Sequence, residues 1–190
     1  MNEEREDKYR IAINLGNIGL AYFSQHDYAK AMGYYLKALK LSRELDDKSS
    51  ISRHLGNIGE IHYVQGNYTK ALPYYLEALK IAGEIGDKSL FAYWQGTVGK
   101  LYIKTGKFDE AETELKKAIA LGDSIGANDH LRRFEESLSQ LYDTIGKYDL
   151  ALIHYKRAMV LKDTIFNQEK NKEITRKELN YEFDKKEALA

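Results

Sequence analysis

The sequence predicts an all-α protein: a solenoid of four helical hairpins followed by a long C-terminal helix. Three observations carry this. Shifted by 40 residues, the chain overlays itself without gaps, three times. Alanine occupies the same two places in every unit, at Ala31, Ala71, Ala111 and Ala151 and at Ala38, Ala78, Ala118 and Ala158. One proline in 190 residues suits long uninterrupted helices. A fixed period of this size marks a repeat architecture, in which each unit buries its apolar face against its neighbours.

The units run over about 8–47, 48–87, 88–127 and 128–167, and residues 168–190 have no partner repeat. In the first unit, Gly16 and Gly19 lie inside the first helix, which closes at His26-Asp27. In the second unit Asp47 caps the opening helix by accepting from its free N–H groups. Ile51, Leu55, Ile58 and Ile61 then fall at helical spacing. Gly66 ends that helix, because glycine reaches the left-handed conformation without penalty. Asn67 caps the next helix, whose apolar face holds Ala71, Leu72, Tyr75, Ala78 and Leu79. Pro73 predicts a small kink or a late start there, since it lacks a backbone N–H. Gly86-Asp87 opens the third unit, while Gly106-Lys107 and Gly146-Lys147 keep the glycine but lose the capping side chain.

The twice-repeated LGNIG (15–19 and 55–59) is not a phosphate loop, because no strand precedes it and its glycines are mid-helix. A mid-helix glycine costs about 1 kcal/mol against alanine. Close approach of the partner helix offsets that cost, with Gly19, Gly59 and Gly99 expected to face Ala31, Ala71 and Ala111.

Composition excludes several functions. Lys plus Arg and Asp plus Glu both total 29, so there is no basic excess for nucleic acid or an anionic membrane. No cysteine is present, which removes disulfides and thiolate chemistry. No apolar run approaches the roughly 18 residues of a membrane span. The N-terminus MNEEREDKYR is too polar for a signal peptide. His26, His54, His62, His130 and His154 are scattered, no metal or nucleophile motif appears, and neither catalysis nor a cofactor is expected.

The pattern Leu15-x2-Ile18-Gly19-x2-Tyr22, then Ala31-x3-Tyr35, then Ala38, resembles the tetratricopeptide repeat signature. It recurs through Leu55, Ile58, Gly59 and His62, through Gln95, Val98, Gly99 and Tyr102, and through Glu135, Leu138, Ser139 and Tyr142. The usual period is about 34 residues. A period of 40 resembles the longer-helix branch found in kinesin light chains, cell-polarity adaptors and bacterial sensors. The resemblance implies a right-handed superhelix that binds a protein or peptide on its concave face, lined by the first helix of each unit. It also implies the tyrosine pairs Tyr34-Tyr35 and Tyr74-Tyr75 as packing residues.

Four rungs cross that face: Asn17, Asn57, Thr97 and Ser137; Leu20, Glu60, Lys100 and Gln140; Ile13, Arg53, Tyr93 and Arg133; Phe23, Tyr63, Ile103 and Asp143. In peptide-binding members of the family an asparagine at the first rung bonds the peptide backbone, and an amide both donates and accepts. Asn17 and Asn57 match; a hydrogen bond to the neighbouring helix is the alternative. The expected partner-binding set is Asn17, Asn57, Arg53, Glu60, Tyr63, Tyr93, Lys100, Arg133 and Gln140.

The segment 162–190 carries helix formers and no breaker, so the last repeat helix continues into it. Ile174, Tyr181 and Ala188 keep a seven-residue spacing, a coiled-coil hint; Phe183 and Leu189 add apolar residues. This stretch fits a solvated helix that caps the last repeat, or one that packs into the groove of its own or a neighbouring copy. It also resembles the linker after the repeats in membrane-anchored bacterial signalling proteins, whose outputs are a histidine kinase, a nucleotide cyclase or a DNA-binding domain. The expected function is therefore a non-catalytic interaction or sensor module, a fragment of a larger signalling protein. The alternative is a self-association scaffold, a homodimer through the C-terminal helix.

Overall fold

In the computed structural model the backbone of residues 3–188 and the side chains of residues 3–180 are described. Eight helices and no strand lie among these residues: α1 (Glu3–Ser24), α2 (Tyr28–Glu44), α3 (Lys48–Val64), α4 (Tyr68–Glu84), α5 (Lys88–Lys104), α6 (Phe108–Ile125), α7 (Asn128–Thr144) and α8 (Tyr148–Ala188). They form two compact units, Met1–Ile125 and Gly126–Ala190. In the first, α1 packs on α2, α3 on α4 and α5 on α6, with α2 on α3 and α4 on α5 joining successive hairpins. In the second, α7 packs on α8.

A shorter rhythm underlies the 40-residue repeat. The left-handed backbone conformation recurs every 20 residues, at His26, Asp46, Gly66, Gly86, Gly106, Gly126 and Gly146. The next N–H usually closes the helix by donating to the carbonyl five residues back, as Asp47 does to Ser42 (3.0 Å), Asn67 to His62 (2.8 Å) and Lys107 to Tyr102 (2.9 Å). Asp27, Asp47 and Asp87 then cap the helices that follow, accepting from Lys30, Ser50 and Leu90 N–H at 3.1, 3.1 and 2.9 Å. Asn67 does not use its side chain as a cap. The Lys70 N–H, counterpart of the ones the aspartates accept, donates instead to the Asn67 carbonyl at 3.0 Å. Pro73 neither delays nor interrupts α4, which starts at Tyr68. The N–H it lacks would have met Thr69, and both residues are exposed, so water reaches that carbonyl.

The mid-helix glycines face larger partners than the expected alanines. A Cβ on Gly19 would lie 2.7 Å from the Tyr35 ring, on Gly59 2.8 Å from Tyr75, and on Gly99 2.8 Å from Leu115. Ala31, Ala71 and Ala111 are fully buried, but the glycines make room for the residue four positions further on. Tyr34 and Tyr74 stack on Tyr22 and His62 at 5.4 and 5.6 Å, so both tyrosine pairs pack as expected.

One residue ties three helices together. Trp94 of α5 lies across Gly56, where a Cβ would come 1.9 Å from the indole. Its Nε1–H donates to Ser52 Oγ (3.0 Å), and the Ser52 hydroxyl donates to the Ala78 carbonyl of α4 (2.8 Å). In the second unit Ser139 replaces the glycine and its hydroxyl donates to the Ala151 carbonyl at 2.9 Å. α8 continues without a break through position 166, where the 20-residue rhythm would place the next turn. Tyr181, Phe183, Ala188 and Leu189 lie outside the described side chains.

Candidate partner-binding face

The first rung divides into two kinds of residue. Thr97 and Ser137 are buried, and their hydroxyls donate to the Tyr93 and Arg133 carbonyls one turn back, both at 2.8 Å. Their hydrogen bonding is therefore met within their own helices. Asn17 is exposed and Asn57 half-buried. Among the described residues neither amide makes a hydrogen bond, so the neighbouring helix does not use them. Each keeps a donor pair and an acceptor available in mid-helix, where asparagine is otherwise unfavourable.

A second cluster forms on α3, α4 and α5. The buried Tyr75 hydroxyl donates to Glu60 Oε2 at 2.5 Å. Burial, then the Glu60 charge, pushes the Tyr75 phenol far up, so it stays protonated and holds the carboxylate in place. Tyr63 is pushed up to about 12, by burial first and Glu60 second. Lys100 Nζ stands 5.9 Å from the Tyr63 ring centre. Thus Glu60, Tyr63 and Lys100 share one neighbourhood of mixed charge. Arg53 is exposed on α3, and Tyr93 is half-buried on α5, edge-on to Trp94 at 4.6 Å.

Arg133 and Gln140 are exposed on α7, in the second unit, and Arg133 pairs with Asp129 at 3.1 Å. That unit also buries a cluster that periodicity alone did not single out. Glu135, fully buried, meets His154 Nδ1 at 2.5 Å and Arg157 Nη1 at 2.8 Å. The sequence held a signal for it: the column Leu15, Leu55, Gln95, Glu135 turns from apolar to polar. Gln95 shows the same change, donating to Glu114 Oε2 at 3.2 Å. Gln95 and Glu135 thus each find polar partners across their hairpins. Among the described residues no group of three His, Cys, Asp or Glu could hold a metal ion, and no helix is long and apolar enough to cross a membrane.

The sequence profile of the tetratricopeptide repeat matches residues 9–84, 50–124 and 89–161. No curated protein matches the chain. Among solved structures, BtubC from P. vanneervenii superposes with a TM-score of 0.70 at 20% identity, covering 81% of this chain and 64% of that one. Aspartyl phosphate phosphatase F from Bacillus subtilis gives 0.65 at 17%, covering 82% and 50%. A signal transduction ATPase with a tetratricopeptide repeat sensor from Pyrococcus horikoshii gives 0.71 at 18%, covering 86% and 25%. The chain therefore spans less than two thirds of each of these structures, and at such identities the likeness is one of fold.

Proposed function

The chain belongs to the tetratricopeptide repeat family, a family of protein-interaction modules, and from that premise we propose that it holds an extended peptide segment of a partner on the face carrying Asn17 and Asn57. The observation that supports this reading is the pair of unbonded amides one repeat apart, beside rung-mates that bond their own helices. A peptide backbone offers one N–H and one C=O per residue, and an amide side chain matches both. The mixed charge of Arg53, Glu60 and Lys100 suits a segment of mixed charge. It does not suit a carboxylate clamp, which groups cations on matched rungs.

The test is a peptide array probed with the chain and with its Asn17→Ala/Asn57→Ala variant. Selective binding that weakens by about 0.5–1.5 kcal/mol per lost hydrogen bond, at unchanged helicity, supports the reading. Binding indifferent to both asparagines overturns it. The fuller proposal places this module at the input of a larger signalling protein, such as a sensor kinase or cyclase. The fold it shares with the sensor-bearing ATPase supports that context.

A specific feature of α8 favours a second reading, self-association. Tyr155 is 52% exposed, whereas its counterparts Tyr35 and Tyr75 are 1% and 0% exposed. Tyr148, Leu152, Tyr155, Met159 and Phe166 fall on one stripe at alternating three- and four-residue steps, with Lys162 completing the pattern. All but the half-buried Met159 are exposed among these apolar residues. That stripe is the seam a second copy of the helix would cover.

A further inference from the structure

A groove of about 410 Å³ opens between α4 and α6, over α5. Leu76 and Leu79 of α4 line it with Val98 and Tyr102 of α5, and α6 contributes Asp109, Glu110, Thr113 and Glu114. It lies in the first unit and owes nothing to the asparagine face.

The groove exists because the third hairpin lacks a ring that the other three carry. One repeat earlier, the positions of Tyr102 and Glu114 hold His62 and Tyr74, whose rings stack at 5.6 Å. The first and fourth hairpins fill the same place with Tyr22 on Tyr34 and Tyr142 on His154, at 5.4 and 5.3 Å. Only the third hairpin replaces the second ring, with Glu114, and turns it toward Gln95. Val98 in place of Ile58 removes a further methylene. Charge changes as well: Thr69 and Lys70 become Asp109 and Glu110. The missing ring thus leaves an aromatic face and an aliphatic floor beside three carboxylates.

Two of the lining side chains already meet cations of the protein from outside the groove. Lys107 Nζ stands 5.6 Å from the Tyr102 ring centre, and Lys117 Nζ lies 2.9 Å from Glu114 Oε1. Both lysines are exposed, and such contacts contribute no more than about 1 kcal/mol each, so an incoming cation can replace them. Asp109 and Glu110 are exposed and carry no ion pair among the described residues.

We propose that this groove receives an arginine side chain from a basic segment of a protein partner. The arginine stem lies on Leu76, Leu79 and Val98, the guanidinium plane on Tyr102, and its N–H groups on Asp109 and Glu110. A planar fork that stacks on an aromatic face and bonds a carboxylate through two N–H groups distinguishes arginine from lysine. The apolar stem distinguishes it from a simple cation.

The test is an NMR titration of the isotope-labelled chain with the peptide acetyl-GALRLAG-amide at near-physiological salt. Saturable shifts are expected at Leu76, Thr113 and Glu114. The same peptide with citrulline, which keeps the shape and loses the charge, should bind about tenfold more weakly, as should the arginine peptide to Asp109→Asn/Glu110→Gln. The lysine peptide should fall between them. Gln95→Leu/Glu114→Tyr installs the second hairpin's residues, refills the groove and should abolish the shifts while leaving the melting temperature unchanged or higher. The proposal is overturned by equal binding of the citrulline peptide, by shifts spread over the surface, by full binding to the refilled variant, or by no saturation up to about 5 mM.

Discussion

His54 shows what a repeat position demands of one side chain. Its ring fills the space over Gly16, where a Cβ would come 2.7 Å from Cε1. It is buried, and neither ring nitrogen has a hydrogen-bond partner among the described residues. Burial pushes its pKa below the usual histidine value; the Arg53 charge adds to this and Asp47 opposes it. A folded pKa below the unfolded one means that the unfolded chain binds more protons, so stability is complete above the unfolded value of about 6.5 and falls as pH drops through it. His62 and His130 are shifted the same way, also mainly by burial. Thermal unfolding of the wild type should therefore move to lower temperature between about pH 7.5 and 5.5. His54→Phe should weaken that dependence and stabilise by about 1–2 kcal/mol at neutral pH, since it removes two unsatisfied nitrogens from the interior. A variant with the wild-type pH slope would show that His54 does not titrate on unfolding. Glycines differ as sharply by position. Gly56→Ala must displace the indole of Trp94 and should cost about 1–3 kcal/mol. Gly33→Ala, in an exposed part of α2 with nothing within 4 Å, should stabilise by about 0.5–1 kcal/mol. Chemical denaturation of the two variants side by side separates packing from helix propensity.

At the scale of the element, the 20-residue rhythm of left-handed turns is the strongest constraint, and most of it was legible. Gly66, Gly86, Gly106, Gly126 and Gly146 announce their turns in the sequence. His26 and Asp46 fill the same role with φ of 60° and 55° and carry no glycine signal; only the period identifies them. Asp46→Gly removes a Cβ from a conformation that costs an ordinary residue about 1–2 kcal/mol, partly offset by glycine's greater freedom when unfolded. A net gain of about 0.5–1 kcal/mol in urea unfolding is expected, and a loss would show that the Asp46 side chain stabilises the turn. The caps were legible where aspartate precedes the helix. They failed at Asn67 because a backbone carbonyl competes for the same N–H, which no residue identity reveals. The partners of Gly19, Gly59 and Gly99 were misread for a related reason. Small residues align in both helices, yet helix packing interleaves a large side chain with a glycine and does not set small against small. The unbonded state of Asn17 and Asn57 also lay beyond the sequence, because it depends on what the adjacent helices offer.

At the scale of the molecule, the repeat predicts its own continuation, and α8 departs from it. In the first unit the residue two-thirds along each hairpin, Tyr35, Tyr75 or Leu115, is buried, and a turn follows at the next 20-residue mark. In α8 the corresponding Tyr155 is exposed and the helix runs on to Ala188. The sequence placed the self-association signal at Ile174, Tyr181 and Ala188, whereas the described apolar stripe begins at Tyr148 and ends at Phe166. The two locations predict different outcomes. If the far segment drives association, removing the residues after Phe166 yields a monomer. If the Tyr148–Phe166 stripe drives it, the truncated chain keeps the mass of a dimer in light scattering, and Leu152→Lys/Tyr155→Gln breaks it. Both substituted residues are half exposed, so the variant should keep its helicity, and its mass reports association alone. A wild-type chain that stays monomeric across about 10–500 μM would remove self-association by either route, since an interface saturating above that range contributes less than about 5 kcal/mol. The weight would then rest on the asparagine face proposed above, and a peptide supplied in trans would test whether the two open amides bind it.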